Sequence, residues 1–218
     1  MMPTLRPSKA WSVMMRGNAR FVAGEPHHPR QDVERRESLA LKQQPDVVLF
    51  GCSDSRLAAE IIFDKGLGDL FVVRNAGQVI SGSVVGSLEY AVGVLHVPLI
   101  VVLGHDQCGA VRAAIDSLAP DATPLPPHID SLIQQITPAV IRVAKARNIN
   151  PWEADPLDVG REHLRHTVAE LLERSEMISD AVAAGILGIV GANYKLLEGT
   201  AVPDIILGNL ETTPTGAM

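Results

Sequence analysis

Cysteine is nearly missing from this chain. Two residues in 218 cannot build a disulfide framework, so each is read either as a buried packing residue or as metal or redox chemistry. A basic excess is missing as well. With 19 Lys and Arg against 25 Asp and Glu, the formal net charge is −6; a general nucleic-acid surface, which needs cations to release counterions from phosphate, is not expected. No run approaches the roughly 20 apolar residues of a membrane span. The opening MMPTLRPSKAW has no apolar core of the length a secretion signal needs. The expectation is a cytoplasmic protein with no membrane partner. Hydrophobic residues make up 46% of the chain, enough for one globular domain over residues 1–218. Within it a helical arm is expected over residues 1–45 and an α/β core over 46–218.

Residues 8–22 place Trp11, Met14, Met15, Ala19 and Val22 near helical spacing, with Arg16, Asn18 and Arg20 between them, which predicts an amphipathic helix. EPHHPRQ breaks it, and a second short helix over 32–42 has Val33, Leu39 and Leu41 as anchors. Three β-branched-rich apolar runs follow at 47–50, 70–73 and 99–103. Each ends in polar or glycine-bearing residues and reads as a buried parallel strand. Small and large residues alternate over 83–95, as in a helix packed closely on a sheet, which completes a βαβ pattern. A helix over 110–118 ends at PDATPLPP because proline lacks an amide donor. Helical patterns return over 131–146 and 161–184, and residues 186–192 and 202–207 suggest closing strands. The fold class expected is α/β, a mostly parallel central sheet flanked by helices.

Both cysteines lie in loops that follow apolar runs. Gly51-Cys52-Ser53-Asp54-Ser55-Arg56 follows VVLF, and Gly104-His105-Asp106-Gln107-Cys108-Gly109 follows LIVVL. In open parallel sheets such loops converge on a crevice beyond the carboxyl ends of the strands. If the two strands are neighbours, Cys52, His105 and Cys108 form a Cys₂His set that suits zinc with one position left for water or substrate. Asp54 and Arg56, two residues apart, can form a charge-assisted pair that keeps the carboxylate off the metal. With Arg56 disengaged, Asp54 could become a fourth ligand and block chemistry. Structural thiols or a redox pair remain open as alternatives.

FGCSDSR, then FVVRNAG, LEYAV and LIVVLGHDQCGAV resemble the β-class carbonic anhydrases in order, spacing and identity, densely over residues 43–112 and in outline over the whole chain. The resemblance implies reversible hydration of CO₂ to bicarbonate and a proton by attack of zinc-bound hydroxide. It implies one Zn²⁺ per subunit on Cys52, His105 and Cys108, with Asp54 and Arg56 as the catalytic dyad. The plant-like subtype lines its substrate pocket with residues that fall here on Gln43, Phe71 and Tyr90. Ala76 stands where that subtype has valine, so the pocket is expected to be slightly roomier. Leu49 stands where the bicarbonate-regulated subtype has tryptophan. The resemblance further implies an obligate homodimer or a homotetramer, with the N-terminal helix reaching onto a partner and the pocket completed across the interface.

A related hydrolase acting on carbonyl sulfide or carbon disulfide is the alternative enzyme. A solvated helix face is expected for His163 and His166, a loop for His27 and His28, and a structural or interfacial role for Arg74.

Overall fold

In the computed structural model, which describes residues 5–210, the three apolar runs lie side by side in one five-stranded sheet. The elements in chain order are α1 (Pro7–Ala23), α2 (Val33–Ser38), β1 (Val47–Cys52), α3 (Ala59–Ile62), β2 (Leu70–Asn75), α4 (Gly82–Gly93), β3 (Leu99–His105) and α5 (Gly109–Asp116). They continue with α6 (Pro127–Ile133), α7 (Thr137–Arg147), α8 (Pro156–Arg174), α9 (Glu176–Ala183), β4 (Gly188–Lys195) and β5 (Thr200–Leu207). The strand order is β2-β1-β3-β4-β5. β1 pairs in parallel with β2 and β3, β3 pairs in parallel with β4, and β5 closes the sheet antiparallel to β4.

Continuous apolar runs suit strands covered on both faces, and both faces here are covered. Val47, Leu49, Leu99, Val101 and Leu103 join α1, α5, α6 and α7 in one core cluster; Val48, Phe50, Ile100 and Val102 join α4, α8 and α9 in the other. Leu99 to Leu103 are at most 1% exposed, and each such side chain contributes about 1.5–3 kcal/mol by leaving water. This belt fixes β1 beside β3, with Val48 opposite Ile100 and Gly51 opposite Leu103. Their carboxyl ends, and the two cysteine-bearing loops, therefore open at the same edge.

The periphery departs from expectation in four places. The stripe of α1 docks on its own chain through Pro7, Ala10, Trp11, Met14, Gly17 and Asn18, while Ala19 and Val22 face solvent. Asn18 is buried because its amide donates to the carbonyls of Ile62 and Gly199 and its oxygen accepts from the Ala201 amide. The departure is in the stripe's membership: Gly17 and Asn18 belong to it, and Ala19 and Val22 do not. α2 is only six residues long, and Val33 and Leu41 are 52% and 100% exposed, so neither is an anchor. The pattern over 131–146 is two helices, because the chain turns at Gln134–Ile136 and Pro138 fits the first turn of α7. The pattern over 161–184 breaks at Ser175, whose hydroxyl accepts from the Ile178 amide and caps α9.

Candidate metal centre

Cys52 is the last residue of β1, His105 the last of β3, and Cys108 precedes the first turn of α5. All three are buried, and one ligand atom from each lies within 4.8 Å of the others. The imidazole is committed to this arrangement. His105 Nδ1 is 2.7 Å from the Asp106 carbonyl, which can only accept, so Nδ1 carries the proton and the lone pair sits on Nε2. Nε2 is buried with no hydrogen-bond partner. A buried acceptor without a partner is costly, and a cation between the two sulfurs and this nitrogen relieves the cost. Two soft sulfurs and one imidazole suit zinc with an open position.

The sulfurs support the same reading. Cys52 is pushed down toward the thiolate by a hydrogen bond from Cys108, with the Gly77 amide assisting against burial. Cys108 is pushed up by the same bond and by its burial. Without a cation the pair shares one proton; a divalent ion takes that proton's place and lets both ionise.

Asp54 sits at the mouth of this group. Its Oδ1 accepts from the Arg56 amide at 2.9 Å and from Arg56 Nε at 2.8 Å, and its Oδ2 accepts from Arg56 Nη2 at 2.7 Å. The fork holds the Asp54 carboxyl well below the usual carboxylate range, against the opposing effect of burial. A carboxylate oxygen has two acceptor positions. Oδ1 has filled both, whereas Oδ2 retains one, and Oδ2 is the oxygen 4.0 Å from His105 Nε2. The dyad thus presents one free lone pair to the site and keeps the carboxylate out of it.

Arg74, for which a structural or interfacial role is expected, bonds the loop backbone: Nε donates to the Cys52 carbonyl at 2.9 Å and Nη2 to the Asp54 carbonyl at 2.7 Å. One guanidinium spans the loop between both residues. Ala76 is exposed beside the centre, next to Gly77, whose amide donates to Cys52 Sγ at 3.3 Å. Gly77 has φ +77°, and a Cβ there would lie 2.9 Å from Ala110 Cβ and Ile136 Cδ1, so only glycine allows this approach.

Three expected pocket residues lie elsewhere in the chain. Phe71 pairs with Val48, four residues before Cys52 and so about 13 Å away along the strand at ~3.3 Å per residue. It packs with the α4-side cluster, whereas both cysteines belong to the cluster on the other face. Tyr90 stacks against it with ring centroids 6.2 Å apart and is 45% exposed. Gln43 is exposed in the loop that enters β1. Within one chain they do not line the metal group.

Two contributors escaped the sequence reading. The Gly77 amide is one, and backbone donors leave little trace in a sequence. His163 is the other: it is 2% exposed rather than on a solvated face. The spacing of Val159, Leu164, Val168 and Leu171, all buried, puts position 163 on the apolar stripe of α8 and was the signal available.

The family model described as carbonic anhydrase matches residues 47–201. Carbonic anhydrase 2 of Mycobacterium tuberculosis is 48% identical over 96% of this chain and 98% of its own length. A carbonic anhydrase of Mycolicibacterium smegmatis is 49% identical over 91% and 93%. Among solved structures, one of two tetrameric β-carbonic anhydrases of Sordaria macrospora superposes with a TM-score of 0.69 at 22% identity, over 88% of this chain and 95% of that one. The Coccomyxa β-carbonic anhydrase crystallised with acetazolamide gives 0.64 at 25% identity, over 77% and 75%. With the family match covering β1 to β4 and both cysteine-bearing loops, and the relatives nearly the full length, the chain belongs to the β class of the carbonic anhydrases, enzymes that hydrate carbon dioxide.

Proposed function

We propose that the chain hydrates CO₂ with one Zn²⁺ held by Cys52, His105 and Cys108, and that Asp54, clamped by Arg56, orients the attacking water. The observation that carries this reading is the single free acceptor position on Asp54 Oδ2, 4.0 Å from the unpaired Nε2 of His105. Zinc, when bound, supplies the Lewis acidity that lets water lose a proton near neutral pH. Asp54 accepts the hydrogen bond of that water and turns its remaining lone pair toward CO₂. Arg56 keeps Asp54 ionised and off the metal, and Arg74 holds the backbone of both Cys52 and Asp54. With two thiolates among the ligands the metal is a poorer Lewis acid than with three imidazoles, so the rate rises into alkaline pH.

Gln43, Phe71 and Tyr90 serve the site of a second copy, and Ala76 lines the site of its own chain. Their distance from the metal group of their own chain supports this, and α4 supports it independently. Its Gly82 and Gly86 are exposed, and a Cβ on either would meet nothing within 4 Å. Gly86 is interior to α4, where a glycine costs about 0.5–1 kcal/mol relative to alanine, and nothing in the chain itself requires it. Closely packed helices from another subunit would. Ala91, by contrast, is buried in its own core, and a Cβ on Gly93 would touch Met177. The assembly proposed is a homodimer, or a homotetramer built from two such pairs. Leu49, buried in β1, and the engaged Asp54–Arg56 pair favour the plant-like subtype. Both cysteines are free, and a site that needs two thiolates suits the reducing cytoplasm.

The deciding experiment is metal analysis of the purified protein with stopped-flow CO₂ hydration, and hydrolysis of carbonyl sulfide and carbon disulfide as comparison. One zinc per chain and CO₂ as the fastest substrate are expected. A protein that takes up no zinc on reconstitution, or one that prefers a sulfur gas, overturns the proposal.

A further inference from the structure

His163 is a buried titratable group that the mechanism above leaves unused. It sits in the middle of α8, 2% exposed, with Nε2 2.7 Å from the Gly77 carbonyl across 86 residues of sequence. A carbonyl only accepts, so Nε2 carries the proton and Nδ1 does not. Nδ1 is buried with no partner. An apolar side chain would fill the same space without stranding an acceptor, but it would leave the Gly77 carbonyl unheld.

That carbonyl belongs to a turn that needs holding. Gly77 and Gln78 both have positive φ, +77° and +41°, and glycine is the residue with the most backbone freedom to lose. The Gly77 amide on one side of its Cα donates to Cys52 Sγ at 3.3 Å; the carbonyl on the other side is the one His163 grips. Thr167, one turn further along α8, bonds the His163 carbonyl at 2.9 Å and reaches the Gln78 carbonyl at 3.5 Å. The same helix therefore reaches two consecutive carbonyls of the turn.

We propose that His163 is a positioning residue for Cys52: by clamping the Gly77 carbonyl it keeps the Gly77 amide on the Cys52 sulfur, so that this thiolate gives less charge to the metal. The inference rests on the zinc assignment made above. Groups around a metal's direct ligands tune it by orienting those ligands and withdrawing charge from them. Here the chain is helix, carbonyl, glycine, amide, sulfur. The ring stays neutral at working pH, since burial pushes its pKa down to about 4, with His166 and Arg142 also opposing a positive charge against the Gly77 bond. The clamp does not titrate with the reaction.

The test uses His163→Leu, which removes the donor, and His163→Gln, whose amide nitrogen can take the place of Nε2. In the cobalt-substituted proteins the thiolate-to-metal charge-transfer band moves to longer wavelength in His163→Leu and returns toward the wild-type position in His163→Gln. The alkaline midpoint of the zinc enzyme's rate–pH profile rises by about half a unit to one unit in His163→Leu, the shift expected of one ordinary hydrogen bond, and recovers in His163→Gln. A band and midpoint unmoved in both variants, or moved equally in both, overturn the proposal, the second outcome marking mere packing. Ring-nitrogen NMR of the wild-type protein serves if a variant does not fold. A neutral Nε2–H ring is expected, and an Nδ1–H or charged ring overturns the proposal. If the wild-type cobalt protein shows no thiolate band, the metal assignment is what fails, and the ring measurement still decides whether His163 holds Gly77.

Discussion

Replacing Asp54 by Asn changes one atom and removes one charge, and the hydrogen-bond geometry says what else it changes. The carboxylate receives two bonds on Oδ1 and one on Oδ2, all from Arg56. An amide cannot accept at both ends. Placed with its nitrogen at the Oδ2 position, it sets two donors against each other at Arg56 Nη2 and offers the site a donor where an acceptor stood. Flipped, it opposes both the Arg56 amide and Nε. The first orientation removes the acceptor that orients water and the second breaks the Arg56 clamp that aims it, a role worth about 10²–10⁴ in rate. A hundredfold loss in kcat, about 2.7 kcal/mol of barrier, is the minimum expected. The Asp54 side chain bonds only Arg56 and belongs to neither core cluster, so the fold and zinc content are expected to stay intact. Stopped-flow CO₂ hydration over about pH 7 to 9, normalised to zinc, measures the loss. Because Arg56 holds the Asp54 pKa far down, the acceptor stays ionised throughout that window, and the deficit is the same at every pH in it. A variant within about threefold of wild type at full zinc removes Asp54 from the mechanism.

Arg74→Gln, which cannot span the Cys52 and Asp54 carbonyls, is expected to lose zinc to a chelator about tenfold more readily; Arg74→Lys, a single-point donor, does not rescue it. Stripping zinc lowers the melting temperature: at metal a thousandfold above its dissociation constant the lost linkage is about 4 kcal/mol, about 10 °C for a chain of this size, and readdition of zinc restores it. Gly86→Arg is expected to sediment as a monomer with negligible CO₂ hydration but an undiminished melting temperature, because its own chain leaves open space at that Cβ. A dimer that survives this change refutes the placing of α4 at the interface.

The strands and the metal group were legible because both are written in short stretches. β1 and β3 are buried at every position, so continuous apolar runs mark them, and their neighbourhood follows once both runs end in loops that carry metal-type ligands. Helix ends were harder. Ser175 ends α8 with an extended backbone and caps α9 with its hydroxyl, and the apolar period runs through that break without a change of phase. The 131–146 pattern failed for the same reason, since Pro138 restarts a helix as readily as it ends one. The contacts that hold the site steady were the least legible: Arg74 to two carbonyls, the Gly77 amide to Cys52, His163 to Gly77. Each pairs a side chain with a backbone atom, which every residue carries, so residue type discloses only the side-chain half of the bond. Residue type marks Phe71 and Tyr90 as large aromatics; the structure packs their rings together, part-exposed, with Phe71 at the wrong end of the strand for its own metal. Side chains of that kind, beside a helix whose Gly82 and Gly86 face open space, are what the proposed two-chain pocket accounts for. The pocket is then a property of the assembly, and the metal a property of each chain.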